Sequence, residues 1–420
     1  MSHKVLTNFN RHSGRVSPRL TRAGIQKIQT GLDSRLRGND DQHHPRPILW
    51  RVARLKFALA WLLFFGFAFG LAAQAQEKAD WATEWKRTVA AAEKEGEVAY
   101  YTLGDDHSYL KGFEKQFPKI KIKLVPGKGS ELLSRLMAER RGGKYLADVA
   151  RIGNTSPYSL YQAKALQPIT SAFILPEVKD EAKWWQGKHQ YADPDGQYIF
   201  VSVGSVSSNL VTYNTELVNP AQLNSYWDML DKWKGKIVAM DPRAGGYGRS
   251  GARFAYYNPQ LGPRFLHRLL AESEVTLSRE YRQAIDWVAS KRFAILLFGN
   301  GGDTLQARAQ GLPINVMDTG GWKEGSALEP AAFTVVLMDK PAHPNAAKVL
   351  INWLLSRDGQ IAVQREGESN DSLRIDIPKT DVKPAMRRKE GGHYTVTWKP
   401  EWMEMEPIQK VVNQALGGGK

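Results

Sequence analysis

Residues 190–217 read QYADPDGQYIFVSVGSVSSNLVTYNTEL, and this stretch decides the fold. It opens with the turn signal Asp193-Pro194-Asp195-Gly196 and continues as a β-rich run that small residues interrupt. Such a pattern predicts a strand, a break and a second strand. Two interpretations are open at this point. The chain either leaves one α/β lobe here and enters a second, or forms two neighbouring strands of a single sheet.

Strand and helix patterns alternate before this stretch. Strands are predicted at 97–101, 119–125 and 147–152, with helices at 108–117 and 131–141 between them and Ser130 as the N-cap of the second helix. This alternation predicts a parallel sheet covered by helices. Ligands bind beyond the carboxyl ends of such strands, so we predict contacts from the polar residues there. They are Asp105, Asp106, Ser130, Asn154 and Thr155. Each could equally be an ordinary turn or cap residue.

The chain after residue 214 repeats the pattern. A strand at 236–240 leads into the glycine-rich loop 241–251 and a helix at 252–257, and a buried strand at 293–298 is followed by a helix at 304–310. Exposed N–H groups at a helix start attract anions, and arginines add charge and forked donors. The predicted contacts on this side are Arg243, Tyr247, Arg249, Ser250 and Asn300, with Ser205 from the crossover. An ordinary flexible loop with solvated arginines is the alternative.

The positive charge is concentrated at the N-terminus. Residues 1–75 hold 12 Lys/Arg and 3 Asp/Glu, a net of +9, and the other 345 residues carry the remaining +6 of the total of +15. Arg51, Arg54 and Lys56 precede the apolar run 57–71, and Ala73-Gln74-Ala75 follows it. This is the pattern of a secretory signal cleaved after Ala75. An uncleaved anchor is the alternative, although the run is shorter than the ~20 residues that a spanning helix needs.

The composition excludes several classes of protein. Cysteine is absent, which excludes disulfides, thiol chemistry and a lipid-modified cysteine. The charge distribution and the lack of RNA-binding or zinc-finger motifs argue against nucleic acid as a partner. We therefore expect a free periplasmic or secreted protein, without stable membrane insertion once the signal is removed, and a monomer. The first 50 residues are expected to be a non-native or disordered extension.

Several motifs in order carry a family resemblance that covers roughly residues 84–364. The most specific are Tyr213-Asn214-Thr215 after the crossover, Trp233-Lys234-Gly235-Lys236-Ile237 before a strand and Ser356-Arg357-Asp358-Gly359-Gln360 near the end. Together they resemble the extracellular solute-binding proteins of ABC importers, nearest the ferric-iron-binding branch. The resemblance implies the type 2 periplasmic-binding-protein fold, an α/β fold of two lobes, each a mostly parallel sheet covered by helices, joined by hinge crossover strands.

The resemblance also implies a domain organisation. The expected segments are an extension at 1–50, a signal peptide at 51–75, lobe 1 at 76–205, lobe 2 at 206–325, a return to lobe 1 at 326–370 and a tail at 371–420. It implies a periplasmic solute receptor without catalysis or cofactor, which closes around a small solute and delivers it to membrane permease subunits. The arginine-containing second lobe favours a small organic anion.

Iron is a second possible ligand. Relatives that bind ferric iron carry an adjacent tyrosine pair at the strand end where this chain has Asn300-Gly301-Gly302, and glycine offers no donor. If iron binds nevertheless, its ligands are expected to be Asp105, His107, Tyr256 and Tyr257; otherwise no metal site is predicted. A periplasmic ligand sensor or an enzyme could also be built on the same fold. No Ser-His-Asp arrangement or closely spaced His pair supports an enzyme.

Overall fold

The computed structural model describes residues 80–417, apart from 105–106, 154, 208–210, 245, 300, 331–332 and 367–369. The predicted extension and signal peptide lie outside the described residues, as do the predicted contacts Asp105, Asp106, Asn154 and Asn300. Among the described residues, no helix combines the length and apolar character that a membrane crossing requires.

The first lobe is built on a six-stranded sheet. Its strands are Glu97–Leu103 (β1), Lys121–Gly127 (β2), Val149–Ile152 (β3), Leu166–Gln167 (β4), Ile199–Val201 (β5) and Thr334–Met338 (β13). Strand β1 lies between β2 and β3 and is parallel to both. Strand β13 returns from the second lobe and pairs antiparallel with β3, β4 and β5. The predicted parallel strand set is therefore present, with antiparallel strands added at one side.

Helices pack on this sheet. They are residues 80–95 (α1), Lys111–Gln116 (α2), Gly129–Arg141 (α3), Thr155–Gln162 (α4), Pro176–Lys179 (α5), Pro344–Leu355 (α11) and Arg357–Arg365 (α12). Helix α11 starts at a proline, which suits the first helical turn because its missing N–H has no partner there. Most of α11 is apolar and buried, so this helix lies inside the first lobe rather than on its surface.

The second lobe has a five-stranded sheet of its own. Its strands are Val211–Asn214 (β7), Ile237–Met240 (β8), Thr276–Ser278 (β9), Ile295–Leu297 (β10) and Ile314–Val316 (β11), in the order β11-β7-β10-β8-β9. Its helices are Tyr226–Lys232 (α6), Gly246–Tyr257 (α7), Gly262–Ala271 (α8), Tyr281–Ala289 (α9) and Gly301–Ala309 (α10). Strand β8 is parallel to β9 and β10, so the carboxyl ends of these three strands share one edge.

A three-stranded sheet, the hinge sheet, connects the lobes. It consists of Ser205–Ser207 (β6), Ser326–Glu329 (β12) and Tyr394–Val396 (β14), with β12 in the middle. Strand β6 carries the chain into the second lobe and β12 brings it back. Strand β14 comes from the C-terminal segment and lies parallel to β12. The sequence predicted neither β12 nor β14.

The C-terminal segment belongs to both hydrophobic cores. Trp398 is buried in the core of the first lobe. Trp402, Ile408 and Val412 are buried in the core of the second, where the helix Glu406–Ala415 (α13) packs against α7 and α8. The tail, for which the sequence offered no role, is therefore a third connection between the lobes.

Two predicted helix starts are wrong. Ser130 is not an N-cap, because α3 already begins at Gly129 and Lys128 holds the cap position, with its N–H donating to Glu131 Oε2. Helix α7 begins at Gly246 rather than at residue 252. Tyr247, Arg249 and Ser250 consequently lie in the first turns of a helix, not in a loop.

Candidate functional site

The ends of three strands meet in the first lobe. The Ser156 hydroxyl, in the first turn of α4, donates to the Gly129 carbonyl oxygen at 3.1 Å. A Cβ atom added to Gly129 or to Gly153 would lie 3.7 Å from the Leu103 side chain. The chain segments that follow β1, β2 and β3 are therefore in contact. Exposed Ser130 and Thr155 lie on the first turns of the two helices that start here.

Behind this edge lies a buried arginine. Arg151 donates from Nε to Thr102 Oγ1 and from Nη2 to the Leu103 carbonyl, both at 2.9 Å, and its Nη1 lies 3.1 Å from Glu366 Oε2. Its guanidinium also lies 4.0 Å from the centre of the Phe333 ring. Because Glu366 balances its charge and three of its N–H groups donate within the protein, Arg151 holds the strand ends in place.

An arginine-rich cluster lies at the carboxyl end of β8 in the second lobe. Asp241 is buried and accepts from Arg243 Nε and Nη2 at 2.9 Å and from Arg279 Nε at 3.3 Å. Burial alone would raise the pKa of Asp241, but the hydrogen bonds from the two arginines hold that pKa below its usual value. Arg243, a leading predicted contact, is thus already bound to a carboxylate.

The start of α7 packs closely on this cluster. A Cβ atom at Gly248 would lie 2.4 Å from the Asp241 carbonyl oxygen, so only glycine allows the helix to begin here. Arg249, in the first turn, forms no hydrogen bond or ion pair with any described residue, and the first turn of α7 contains no acidic residue. The side chains of Arg243, Arg249, Arg279 and Asp241 together carry a net charge of +2.

Arg243 and Arg249 line a cavity of about 300 Å³ between α7 and the C-terminal helix α13. The other lining residues are Pro242, Ala252, Met405, Ile408, Gln409, Val412 and Asn413. The cavity therefore has a basic end and mostly apolar walls. Sequence reasoning selected both arginines but not the helix that covers them.

Tyrosines from two elements lie next to the start of α10. The ring centroids of Tyr247 and Tyr281 are 5.6 Å apart, and the Tyr281 hydroxyl lies 3.0 Å from Thr304 Oγ1. Helix α10 itself begins with Gly301 and Gly302 at the position where the resemblance places a tyrosine pair in ferric-binding relatives. Sequence reasoning selected Tyr247 but missed Tyr281.

The adjacent tyrosine pairs of the sequence have other partners. Tyr100 is buried and accepts from the Tyr109 hydroxyl at 3.1 Å, and Tyr101 donates to Glu139 at 2.9 Å. Burial and Glu139 raise the pKa of Tyr101 to about 12.

Tyr257 donates to the Glu404 carbonyl oxygen at 2.8 Å and stacks on Trp402. Half-buried Tyr256 meets Tyr257 edge to face, and half-buried His107 meets Tyr109 in the same manner. No group of three or more His, Cys, Asp or Glu side chains suited to a metal ion occurs within the part of the chain that the structure describes.

Sequence reasoning missed three polar side chains at or beside the hinge sheet, which are Ser207, Arg253 and Glu329. Glu329 is opposite Ser205 in the pairing of β12 with β6, and Ser207 is opposite Ala327. Ser205 itself accepts from the Asp371 N–H at 3.0 Å. Arg253 of α7 interacts electrostatically with Glu329. The available signal was that Arg253 follows Arg249 by four residues, so both lie on one face of a helix.

The sequence matches the family described as bacterial extracellular solute-binding protein over residues 108–365. A curated relative, Iron uptake protein A1 of Synechocystis sp., is 25% identical over 124 residues, which are 28% of this chain and 30% of that protein. The chain thus spans less than a third of the length of this relative in the match.

Several solved structures share the fold. Apo FutA2 from Synechocystis superposes with a TM-score of 0.56 at 16% identity, over 76% of this chain and 98% of that one. FutA of Trichodesmium, solved in complex with iron and citrate, superposes with a TM-score of 0.58 at 16% identity, over 76% of this chain and 99% of that one. The ferric binding protein from Campylobacter jejuni superposes with a TM-score of 0.54 at 14% identity, over 76% of this chain and 99% of that one. The predicted two-lobed type 2 periplasmic-binding-protein fold is confirmed.

Proposed function

Because the chain belongs to the bacterial extracellular solute-binding proteins, we propose that it is the solute receptor of an ABC importer and binds a small organic anion between its two lobes. The two crossover strands and the C-terminal connection let the lobes approach each other around a ligand by hinge bending. The loaded receptor then delivers the solute to membrane permease subunits. The protein itself performs no chemistry and acts as a monomer.

The net charge of +2 at the carboxyl end of β8 and the start of α7 is the observation that carries the choice of an anion. Arg249 has no acidic partner among the described residues, and the N–H groups of the first turn of α7 lie beside it. A guanidinium beside the N–H groups of a helix start matches a carboxylate or phosphate group. Arg243 contributes charge while its donors stay on Asp241.

A ligand screen by thermal shift and calorimetry tests this proposal. The chain starting at Gln76 is titrated with carboxylates, phosphorylated compounds, polyamines and Fe(III)-citrate. A ligand at ~100 times its dissociation constant should stabilise the protein by about 2.7 kcal/mol. We expect an organic anion to do so, and Arg249→Ala to weaken its binding by about 10- to 100-fold, since a hydrogen bond to a charged group contributes about 1.5–3 kcal/mol.

The matched control is Arg282→Ala. Arg282 lies on the exposed face of α9, where it pairs with Asp286, and its loss removes the same charge away from the cluster. If Arg249→Ala and Arg282→Ala weaken binding equally, the arginine cluster is not the anion site. If only polyamines stabilise the protein, the anion proposal is wrong.

Ferric iron is the second candidate. The curated relative is named for iron uptake, and the tyrosines Tyr247 and Tyr281 lie together beside α10, where phenolates could replace the missing tyrosine pair. A tyrosinate-to-iron absorption band that Tyr281→Phe abolishes would establish this candidate. Stabilisation by Fe(III)-citrate without such a band would indicate that the chain recognises the organic anion rather than the metal.

The predicted export signal completes the proposal. Cleavage after Ala75 would release a soluble periplasmic receptor that begins at Gln76. N-terminal sequencing of the protein recovered from the periplasm tests this. A first residue upstream of the apolar run at 57–71 would show that the segment is retained as an anchor.

A further inference from the structure

One face of the hinge sheet carries polar side chains whose arrangement indicates a ligand-binding site. In the antiparallel pairing of β6 with β12, Ser205 is opposite Glu329 and Ser207 is opposite Ala327. Residues that are directly opposite, or two apart on one strand, share a face of a sheet. Ser205, Ser207 and Glu329 therefore lie on the same face. Arg253 interacts electrostatically with Glu329, which places α7 next to this face.

Three of these polar groups lack a partner in the protein. Glu329 and Arg253 form no hydrogen bond and no ion pair within 4.0 Å with any described residue, including each other. The Ser207 hydroxyl is buried, with 5% of the residue exposed, and has no hydrogen-bond partner among the described residues. A buried polar group without a partner is costly, so the Ser207 hydroxyl calls for a partner that is not part of the chain.

Burial shifts the two charged groups in opposite directions. It raises the pKa of the Glu329 carboxyl and lowers the pKa of the Arg253 guanidinium, and the attraction between the two groups offsets these shifts only in part. Both side chains nevertheless remain half-buried rather than sealed from solvent. A ligand can therefore reach both groups from solvent.

We propose that Ser207, Arg253 and Glu329 form a subsite, the hinge-face subsite, for a small zwitterion with a carboxylate and an ammonium group. The ligand carboxylate binds Arg253, which lies one helical turn from Arg249 on the same face of α7. The ammonium binds Glu329, and the Ser207 hydroxyl completes the hydrogen bonding. A simple carboxylate would satisfy Arg253 but be repelled by Glu329. A simple amine would do the reverse. This inference rests on the proposed function and specifies its ligand as an amino carboxylate.

Calorimetric titration with matched ligand pairs tests the inference. The pairs are alanine with propionate, 4-aminobutyrate with butyrate, and glutamate with glutarate, so that each pair differs by one amine. We expect one amino carboxylate to bind about 10- to 100-fold more tightly than its amine-free counterpart. Glu329→Gln, which keeps the size of the side chain, should abolish that preference. Ser207→Ala should weaken the binding of the amino carboxylate, although the charges of Arg253 and Glu329 remain in place.

Glu390→Gln is the matched control, because it removes an exposed carboxylate of the C-terminal segment. It should leave the preference unchanged. If the members of every pair bind equally, the inference is overturned while the proposed organic-anion receptor stands. If Glu329→Gln retains the preference, the ammonium is bound elsewhere and the subsite assignment is wrong.

If no carboxylate of either kind binds, the proposed function and the inference fail together. The comparison of ligand pairs on the unmodified protein remains decisive even if a variant does not fold. It also separates the subsite from a plain Arg253–Glu329 ion pair that forms when the lobes close, because such a pair would not distinguish amino carboxylates from carboxylates.

Discussion

Replacing Trp402 by alanine should lower the stability of the protein substantially. Trp402 is 2% exposed, stacks on Tyr257 with ring centroids 5.5 Å apart, and precedes the helix α13 that completes the core of the second lobe. Truncation of a buried aromatic side chain costs about 3–5 kcal/mol because it removes apolar contacts and leaves a cavity. About 325 residues are described, and an unfolding entropy of ~2.1 cal/mol/K per residue amounts to about 0.7 kcal/mol/K. The expected decrease in Tm is therefore about 4–7 °C.

Differential scanning calorimetry measures this decrease, and Trp81→Ala is the matched control. Trp81 is half-buried and lies outside both hydrophobic cores, so its loss should lower Tm by less than about 2 °C. A Trp402→Ala decrease no larger than that of Trp81→Ala would refute the conclusion that the C-terminal segment is part of the second lobe. A larger decrease confined to one of two separate transitions would show that the lobes unfold independently.

Two further predictions concern the first lobe. Gly359→Ala should lower the free energy of unfolding, measured with denaturant, by at least about 3 kcal/mol, because its Cβ atom would lie 1.9 Å from the Trp353 carbonyl oxygen. The control Gly321→Ala has open space around it and should lower this free energy by under about 1 kcal/mol. Equal losses would contradict the packing of α12 on α11. Burial lowers the pKa of Lys379 to about 8, below the ordinary value of about 10.4 in the unfolded chain. The unfolded state then binds more protons between these two pH values, so the contribution of Lys379 to stability rises from about pH 8 to about pH 10.4. An NMR titration of the lysine Cε resonances measures the pKa of Lys379. A pKa near the ordinary value of about 10.4 would contradict the prediction.

The local patterns of the sequence were sufficient to predict the alternation of strands and helices. Strands such as β1 and β8 are short apolar runs with turn signals on both sides, and the next strand along the chain is in each case a neighbour in the sheet. Periodicity over ten residues is enough to recognise them. The crossover at 190–217 likewise follows from residues that are adjacent in sequence.

The start of α7 was not predictable from local propensity. Glycine usually breaks helices, and Gly246, Gly248 and Gly251 together favoured a loop. In the structure a Cβ atom at Gly248 would meet the backbone of Asp241, and one at Gly251 would lie 2.1 Å from the Phe298 ring. These glycines serve a close tertiary approach, which only the folded chain reveals.

The hinge-face subsite was equally hidden from sequence reasoning. Strand β12 pairs with β6, more than 100 residues earlier, and with β14, more than 60 residues later. Its four residues carry no alternation long enough to indicate a strand. Nothing in the local sequence therefore distinguishes Glu329, and its significance depends on a sheet register that connects three distant parts of the chain. Whether the predicted contacts bind a ligand stays a prediction.

The late position of α13 in the chain has a consequence for biosynthesis. The five-stranded sheet of the second lobe is complete in sequence at Val316, yet Ile408 and Val412 of its core follow only after the entire return through the first lobe. The chain emerges from the ribosome N-terminus first, so this lobe exposes an unfinished apolar surface while roughly 90 further residues are synthesised. Such surfaces aggregate. We expect the nascent chain to depend on chaperones during this interval and to acquire protease resistance in one late step.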